Sequence, residues 1–364
     1  MKKLVFNSQI LKNTNRYSAD FALPDFLYDE NGMLDRQKTI DVMLGEVYGY
    51  VNTDGISVSV VCTAVNTQDV YAGKCKCHKR LVFTLSRGEN GASFPVDLFI
   101  PNTDKDHPLV VALDFDLNVS KCYCPLEEIL EQDIAVAHIL YTDVTSDDKD
   151  FSNGIARLLC DRRDPHTAGK LAVWAYAAST VGAYMLDNGY VKEGDLFVSG
   201  HSRLGKTALL AAALDTRFAG AHSNNSGCTG VSVSREKEGE SVNIITDWFP
   251  HWFAPNYRKY ANKENEMPFD QHYLTALVAP RLLSVATAED DTWADTYAQY
   301  LSLEAASVIY EKHGVVGLDS SMGLMKTGMS SDKGQIGLTM RKGPHYFSRD
   351  DWNFFIKFIK SKRA

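Results

Sequence analysis

The sequence predicts an α/β fold: a mostly parallel twisted sheet with antiparallel strands at its N-terminal edge and helices on both faces. Three observations predict it. Short runs rich in Val, Ile, Thr and Phe crowd the first third of the 364 residues. Strand-like and helix-like segments alternate after that, which calls for parallel strands joined by crossover helices. The later apolar runs are short and unbroken, as in strands covered on both faces.

The early runs are Gly55–Val65, Arg80–Arg87 and Phe94–Pro101, separated by Gly, Asn and Lys; they suit antiparallel edge strands. Leu109–Leu113 and Ile134–Ile139 follow as buried strands, with a helix start at Pro125-Leu126-Glu127-Glu128 between them. From Leu171 to Leu186 apolar residues recur at three- and four-residue steps, the pattern of an amphipathic helix, and Asn188-Gly189 ends it. Asp195–Ser199 reads as a buried strand and Lys206–Leu214 as a helix. Arg281–Ala286 is another buried strand, and Asp350–Ile359 places Trp352, Phe355, Ile356 and Ile359 on one helical face. No linker, repeat or low-complexity tract interrupts the chain. One domain over residues 1–364 is expected, with an N-terminal extension of about 1–50 and a surface insertion at about 315–335, where Gly, Ser and Met are frequent.

A hydrophobic fraction of 45% and a charged fraction of 23% are ordinary for a globular chain. The net charge of −8 repels nucleic-acid phosphate and anionic lipid, so neither is an expected partner. No run of about 18 apolar residues offers a membrane span. Two lysines precede an apolar run that breaks at Asn7, too short for a signal-peptide core. The expectation is a cytoplasmic chain, or an exported one whose leader has been removed. The seven cysteines are odd in number, which argues against a complete disulfide framework. Cys75-Lys76-Cys77-His78 and Cys122-Tyr123-Cys124 invite a zinc reading, but their one-residue spacing is unlike zinc knuckles and suits core filling better.

Chemistry concentrates at Gly200-His201-Ser202-Arg203-Leu204-Gly205. This G-x-S-x-x-G lies close to the nucleophile-elbow pattern, and it stands between a predicted strand and a predicted helix, as the elbow requires. A sharp turn there lifts Ser202 above the sheet, and the helix N-terminus favours developing negative charge. The fold expected is then the α/β-hydrolase three-layer sandwich. Serine needs a base. Of ten histidines, His345 alone stands in a late Gly-Pro loop before the last helix, the place this fold gives its histidine. His251 and His272 read as structural or pocket-lining. The acid should follow a late strand, and Glu289, Asp290, Asp291 and Asp295 all do; spacing alone does not choose among them. The backbone N–H and the guanidinium of Arg203 are candidate oxyanion donors, joined by a backbone donor from Leu113–Asn118.

The chain also resembles the bacterial glucuronoyl esterases, carbohydrate esterase family fifteen. The resemblance rests on Gly200–Lys206, Ser223–Cys228, Trp248–Phe253, Met267–His272, Ala279-Pro280-Arg281, Asp291–Asp295 and Gly343–Trp352, over roughly residues 95–360. It implies cleavage of glucuronoyl esters of xylan that link it to lignin alcohols, without metal or cofactor. It implies Ser202 as nucleophile, His345 as base, Asp291 as acid two residues before Trp293, and Arg203 at the oxyanion. Asp290 and Glu289 stand as alternative acids. Lys206, Glu240 and Trp293 match positions that hold the sugar, and Trp248 is a further expected substrate contact. Two departures stand out. Asn225 occupies a place where some relatives carry a glutamate, and Asp114 and Asp116 fall in the oxyanion loop. The expected partner is the carbohydrate ester alone, bound by a monomer. The rival activity is xylan or other carbohydrate O-acetyl ester hydrolysis on the same triad. A prolyl-oligopeptidase-like peptidase would need a larger N-terminal gating domain, and a non-catalytic binder would not need a complete triad.

Overall fold

A computed structural model of the chain describes residues 2–67, 71–115 and 123–363. Ten strands of the described residues share one sheet: β1 (Ser57–Asn66), β2 (Cys75–Arg87), β3 (Asn90–Pro101), β4 (Leu109–Asp114), β5 (Ala135–Leu140), β6 (Leu196–His201), β7 (Gly220–Asn224), β8 (Leu282–Ala288), β9 (Ser330–Ser331) and β10 (Ile336–Arg341). Their order is β1-β2-β3-β5-β4-β6-β7-β8-β10-β9. The hairpin strands β1, β2 and β3 pair antiparallel, and β3 meets β5 antiparallel. From β5 through β10 the ladder is parallel, and β9 closes the far edge antiparallel.

Strand alternation decides what each face buries. In β4, Leu109, Val111 and Leu113 join a core with Leu171 and Trp174 of the helix Lys170–Asp187 and Leu209 of the helix Arg203–Leu214. Val110 and Ala112 point the other way, to Ile129 of the helix Leu126–Glu131 and Trp352 and Phe355 of the helix Arg349–Lys362. The result is three layers. Ser348 and Asp351 form a reciprocal capping box that starts the last helix one residue before its expected first turn. Its Trp352 and Phe355 are almost fully buried, and each contributes roughly 1.5–3 kcal/mol.

The N-terminal 50 residues pack into this body. Ile10, Leu23, Phe26 and Val47 are buried, and the Tyr48 hydroxyl donates to Thr229 O at 2.6 Å. The segment Val315–Gln335 is held at both ends, with Gln335 N–H on Val316 O and Leu318 bridged to Ile336, and it buries Leu318 and Met325. His78 bonds Asp97 at 2.9 Å and stacks on Phe99, while Cys122 lies outside the described residues. Among the described residues no helix is long and apolar enough to cross a membrane.

Candidate active site

The parallel strands point their carboxyl ends to one edge, and three of them deliver the expected reacting groups there. β6 ends at His201 and the next helix starts at Arg203, leaving Ser202 alone to make the turn, at φ 57° and ψ −124°. A non-glycine residue there is strained by roughly 1–3 kcal/mol. Neighbouring bonds hold it: Ser202 N–H donates to Asn224 O at 2.9 Å, and Lys206 N–H donates to Ser202 O at 3.0 Å. Both glycines of the motif are packing requirements. A Cβ on Gly200 would lie 2.2 Å from Leu204 O, and one on Gly205 would lie 2.9 Å from Asn224 O. The Arg203 N–H opens the helix, where N–H groups have no partner within the helix.

His345 and Asp291 arrive on the loops after β10 and β8, which are neighbours. Between them the backbones are clamped: Glu289 N–H donates to Arg341 O at 2.9 Å and Asp290 N–H to Gly343 O at 3.1 Å. His345 Nδ1 then meets Asp291 Oδ2 at 2.6 Å. Asp291 is buried and takes Ala294 N–H on its other oxygen at 3.1 Å. The Glu289 and Asp290 side chains are exposed. Asp295 caps the helix Thr296–Lys312 and pairs with Arg16 at 2.7 Å. So of the four carboxylates only Asp291 bonds the histidine. The imidazole of His345 lies 4.5 Å from that of His201, centroid to centroid, beside the serine. Burial, then the nearby His345, hold His201 well below the usual histidine pKa, so it stays neutral; its Nδ1 bonds Asn224 Oδ1. No hydrogen bond joins Ser202 to His345 among the described residues, and His345 Nε2 is left uncommitted. Such bonds often tighten only with substrate bound.

Arg203 is held sideways. Its Nη1 donates to Asp147 Oδ2, and its guanidinium lies 4.7 Å from the Trp252 ring centre and 5.5 Å from those of Phe249 and Phe115. Asp147 accepts also from Tyr141 OH at 3.0 Å, His251 Nε2 at 3.0 Å and Trp252 Nε1 at 2.7 Å. Burial raises its carboxyl, but the bond from His251, the charge of Arg203 and the bond from Trp252 together hold it far below the usual carboxylate range. Sequence reading missed Asp147. It stands 56 residues before its arginine, in a stretch with Asp143, Asp148 and Asp150, and no local pattern separates it from them. Of the loop after β4, Asp116 lies outside the described residues. Asp114 turns to the other face, where it meets His138 Nε2 at 3.1 Å.

The residues matched to sugar binding fall into two groups. Lys206 and Glu240 are buried and paired at 3.0 Å, and the Lys206 ammonium also donates to Ser226 O and Cys228 O. Its three donors are thus engaged, so contact with a sugar hydroxyl requires an exchange of partners. Trp248 and Trp293 are exposed and stack at 5.5 Å. Asn225 is buried, and its side-chain amide has no partner among the described residues. Asp114, Cys124 and His138 bring metal-capable atoms within 4.8 Å of one another. A cavity of about 530 Å³ opens beside Asp291, lined by Arg16, Glu238, Glu289, Thr292 and Lys326. Ser202 and His345 do not line it. The His345 side chain is 37% exposed.

A sheet of this order, with a strained serine between strand and helix, defines an α/β-hydrolase. The family model for fungal glucuronyl esterases matches residues 83–314. The chain belongs to the glucuronyl esterase family. It is 37% identical over 237 residues to a carbohydrate esterase of an unknown prokaryotic organism, a match that covers 64% of this chain and 54% of that protein. It is 33% identical over 161 residues to a 4-O-methyl-glucuronoyl methylesterase of Podospora anserina, covering 42% and 34%. The chain therefore spans about half the length of the first relative and a third of the second. Among solved structures, a glucuronoyl esterase from Solibacter usitatus superposes with a TM-score of 0.85 at 27% identity, covering 94% of this chain and 98% of the other. A family-fifteen glucuronoyl esterase from Teredinibacter turnerae gives 0.81 at 26%, covering 94% and 89%.

Proposed function

We propose that this chain is a serine carboxylic-ester hydrolase that cleaves glucuronoyl esters of xylan through an acyl-enzyme. The observation that carries the reading is the pair His345 Nδ1–Asp291 Oδ2 at 2.6 Å, beside a serine held in a strained elbow. Asp291 keeps the proton on Nδ1, so Nε2 is the basic nitrogen. His345 Nε2 takes the proton of Ser202 Oγ as Oγ bonds the uronate carbonyl carbon. The oxyanion is met by the Arg203 N–H and by Arg203 Nη2, which makes no bond among the described residues. Collapse breaks the ester C–O bond, and His345 gives its proton to the leaving alcohol. Water, deprotonated by His345, then attacks the acyl carbon and frees the uronic acid and Ser202. Asp291 remains ionised throughout and stabilises the imidazolium.

The uronate side of the reading is supported by Arg203, a fixed cation suited to an acyl group rich in oxygen, and by what the relatives' names say they act on. The exposed pair Trp248–Trp293 offers flat apolar surface for sugar or aryl rings. The test is hydrolysis of benzyl glucuronate against an acetylated xyloside, with Ser202→Ala as control. Preference for the glucuronate, lost in the variant, is expected; preference for the acetate assigns the chain to acetyl ester hydrolysis instead.

A further inference from the structure

The Asp147 carboxylate sits at the centre of four donors. Oδ2 takes Arg203 Nη1 and Tyr141 OH; Oδ1 takes His251 Nε2 and Trp252 Nε1. Those donors come from three separate parts of the chain: the short helix Tyr141–Val144 after β5, the turn Pro250–Trp252, and the first turn after the elbow. The ion pair is mostly buried, with the Asp147 side chain 10% and the Arg203 side chain 26% exposed. One face of the guanidinium is covered as well, since Trp252 lies under it and stacks flat on Phe249 at 4.0 Å.

An arginine next to a nucleophile has a long, flexible side chain, and a flexible donor must be ordered again in each turnover. Donors that are fixed before the charge develops avoid that reorganisation. Here Nη1 is engaged by Asp147, the ring face is engaged by Trp252, and Nε is buried with no partner among the described residues. Nη2 is what remains. Asp147 is itself held by three further side chains, Tyr141, His251 and Trp252, so it does not depend on Arg203 alone to stay in place.

We infer that Asp147 is a positioning residue for the reaction: it holds the Arg203 side chain in the one orientation that leaves Nη2 free for the oxyanion at Ser202. This rests on the assignment of Arg203 to the oxyanion made above. Asp147 touches no reacting atom. It acts on kcat through Arg203, and Tyr141, His251 and Trp252 act through Asp147. The ionised state of Asp147 matters as much as its place, because a neutral amide presents a donor where one of the four donors now ends.

Kinetics of Asp147→Asn and Tyr141→Phe on benzyl glucuronate, each made in the wild-type and in the Arg203→Ala chain, test this. Tyr141→Phe removes one hydroxyl and serves if Asp147→Asn does not fold. In the wild-type chain, Asp147→Asn is expected to lower kcat by about 30-fold and Tyr141→Phe by about 3-fold, each with KM within about 3-fold. In the Arg203→Ala chain both are expected to cost less than 2-fold more, because the residue they act through is gone. A merely structural role moves these numbers otherwise: equal losses in both backgrounds overturn the inference. So does unchanged kcat for the folded variants where Arg203→Ala is slow. If Arg203→Ala alone leaves kcat unchanged while Ser202→Ala abolishes it, the oxyanion assignment of Arg203 falls, the inference falls with it, and the esterase reading stands.

Discussion

Replacing Asp291 by Asn exchanges one acceptor for a donor at a site that uses both acceptors. In the native chain Oδ2 faces His345 Nδ1 at 2.6 Å and Oδ1 takes Ala294 N–H at 3.1 Å. An asparagine satisfies only one of these with its oxygen. If the oxygen stays on Ala294, the amide N–H₂ faces Nδ1 and forces the imidazole proton to Nε2, the nitrogen that must take the serine proton. If the oxygen turns to His345, two buried donors oppose each other, at a cost of about 1–3 kcal/mol. In either case the imidazolium formed in the transition state has lost its counter-charge. A misplaced tautomer in a serine triad lowers kcat by roughly 10³–10⁴-fold, or about 4–5.5 kcal/mol of barrier. Steady-state hydrolysis of benzyl glucuronate reads this directly, with Glu289→Gln and Asp290→Asn as controls. Their side chains are exposed and only their backbones clamp the histidine loop, so both should keep kcat within about 2-fold. If Asp291→Asn retained more than a tenth of native kcat, or if either control lost as much, the assignment of the acid would be wrong.

Three further outcomes follow from the same contacts. Gly200→Ala puts a Cβ 2.2 Å from the Leu204 backbone oxygen, which cannot rotate away; a loss of at least ~3 kcal/mol in urea unfolding is expected, and a loss below 1 would contradict the packing. His222 is fully buried, and burial lowers its pKa to about 3. The unfolded chain protonates it near ~6.5 while the folded chain does not, so its contribution to stability is whole above that pH and declines as pH falls toward 3. Between pH 7 and 5 the wild type should lose up to ~2 kcal/mol more than His222→Phe, at ~1.36 kcal/mol per unit; parallel pH profiles by urea titration would refute this. Trp248→Ala should raise KM for the benzyl ester about 2- to 10-fold and leave the methyl ester unchanged; an equal rise on both esters would remove Trp248 from the alcohol side.

How much of this was legible in the sequence varied with how local the cause was. The elbow is written in six consecutive residues, because the glycines, the serine and the flanking strand and helix all meet there. His345 was legible because a Gly-Pro loop before the last helix is a local feature. The acid was not. Spacing left Glu289, Asp290, Asp291 and Asp295 equal, and the resemblance alone pointed to Asp291; what separates them is a bond to a residue 54 positions away. β7 was overlooked because Gly220-Ala221-His222-Ser223-Asn224 carries no β-branched residue, although it runs through the middle of the sheet with every residue buried. There, neighbours on both sides fix the strand where propensity does not. Lys206 and Glu240 were assigned to the sugar through the resemblance alone, and their pairing in the interior carries no local sequence signal. Asp147 was invisible because its meaning lies in four partners drawn from distant segments.

The spacing of His345 and Asp291 is in the end a property of sheet register. β8 and β10 pair in parallel with Ala288 opposite Arg341, and the two loops leave from that rung. The backbone bonds from Glu289 to Arg341 and from Asp290 to Gly343 extend the ladder past the last strand residues, so the loops begin their divergence already aligned. A slip of one residue in this pairing would shift Asp291 by about 3.3 Å along the strand and turn alternate side chains to the opposite face. Either displacement exceeds what a 2.6 Å hydrogen bond tolerates. The buried alternation of Leu283, Val285, Ile336 and Leu338 in the core below therefore acts on the chemistry above it, because it is what forbids the slip.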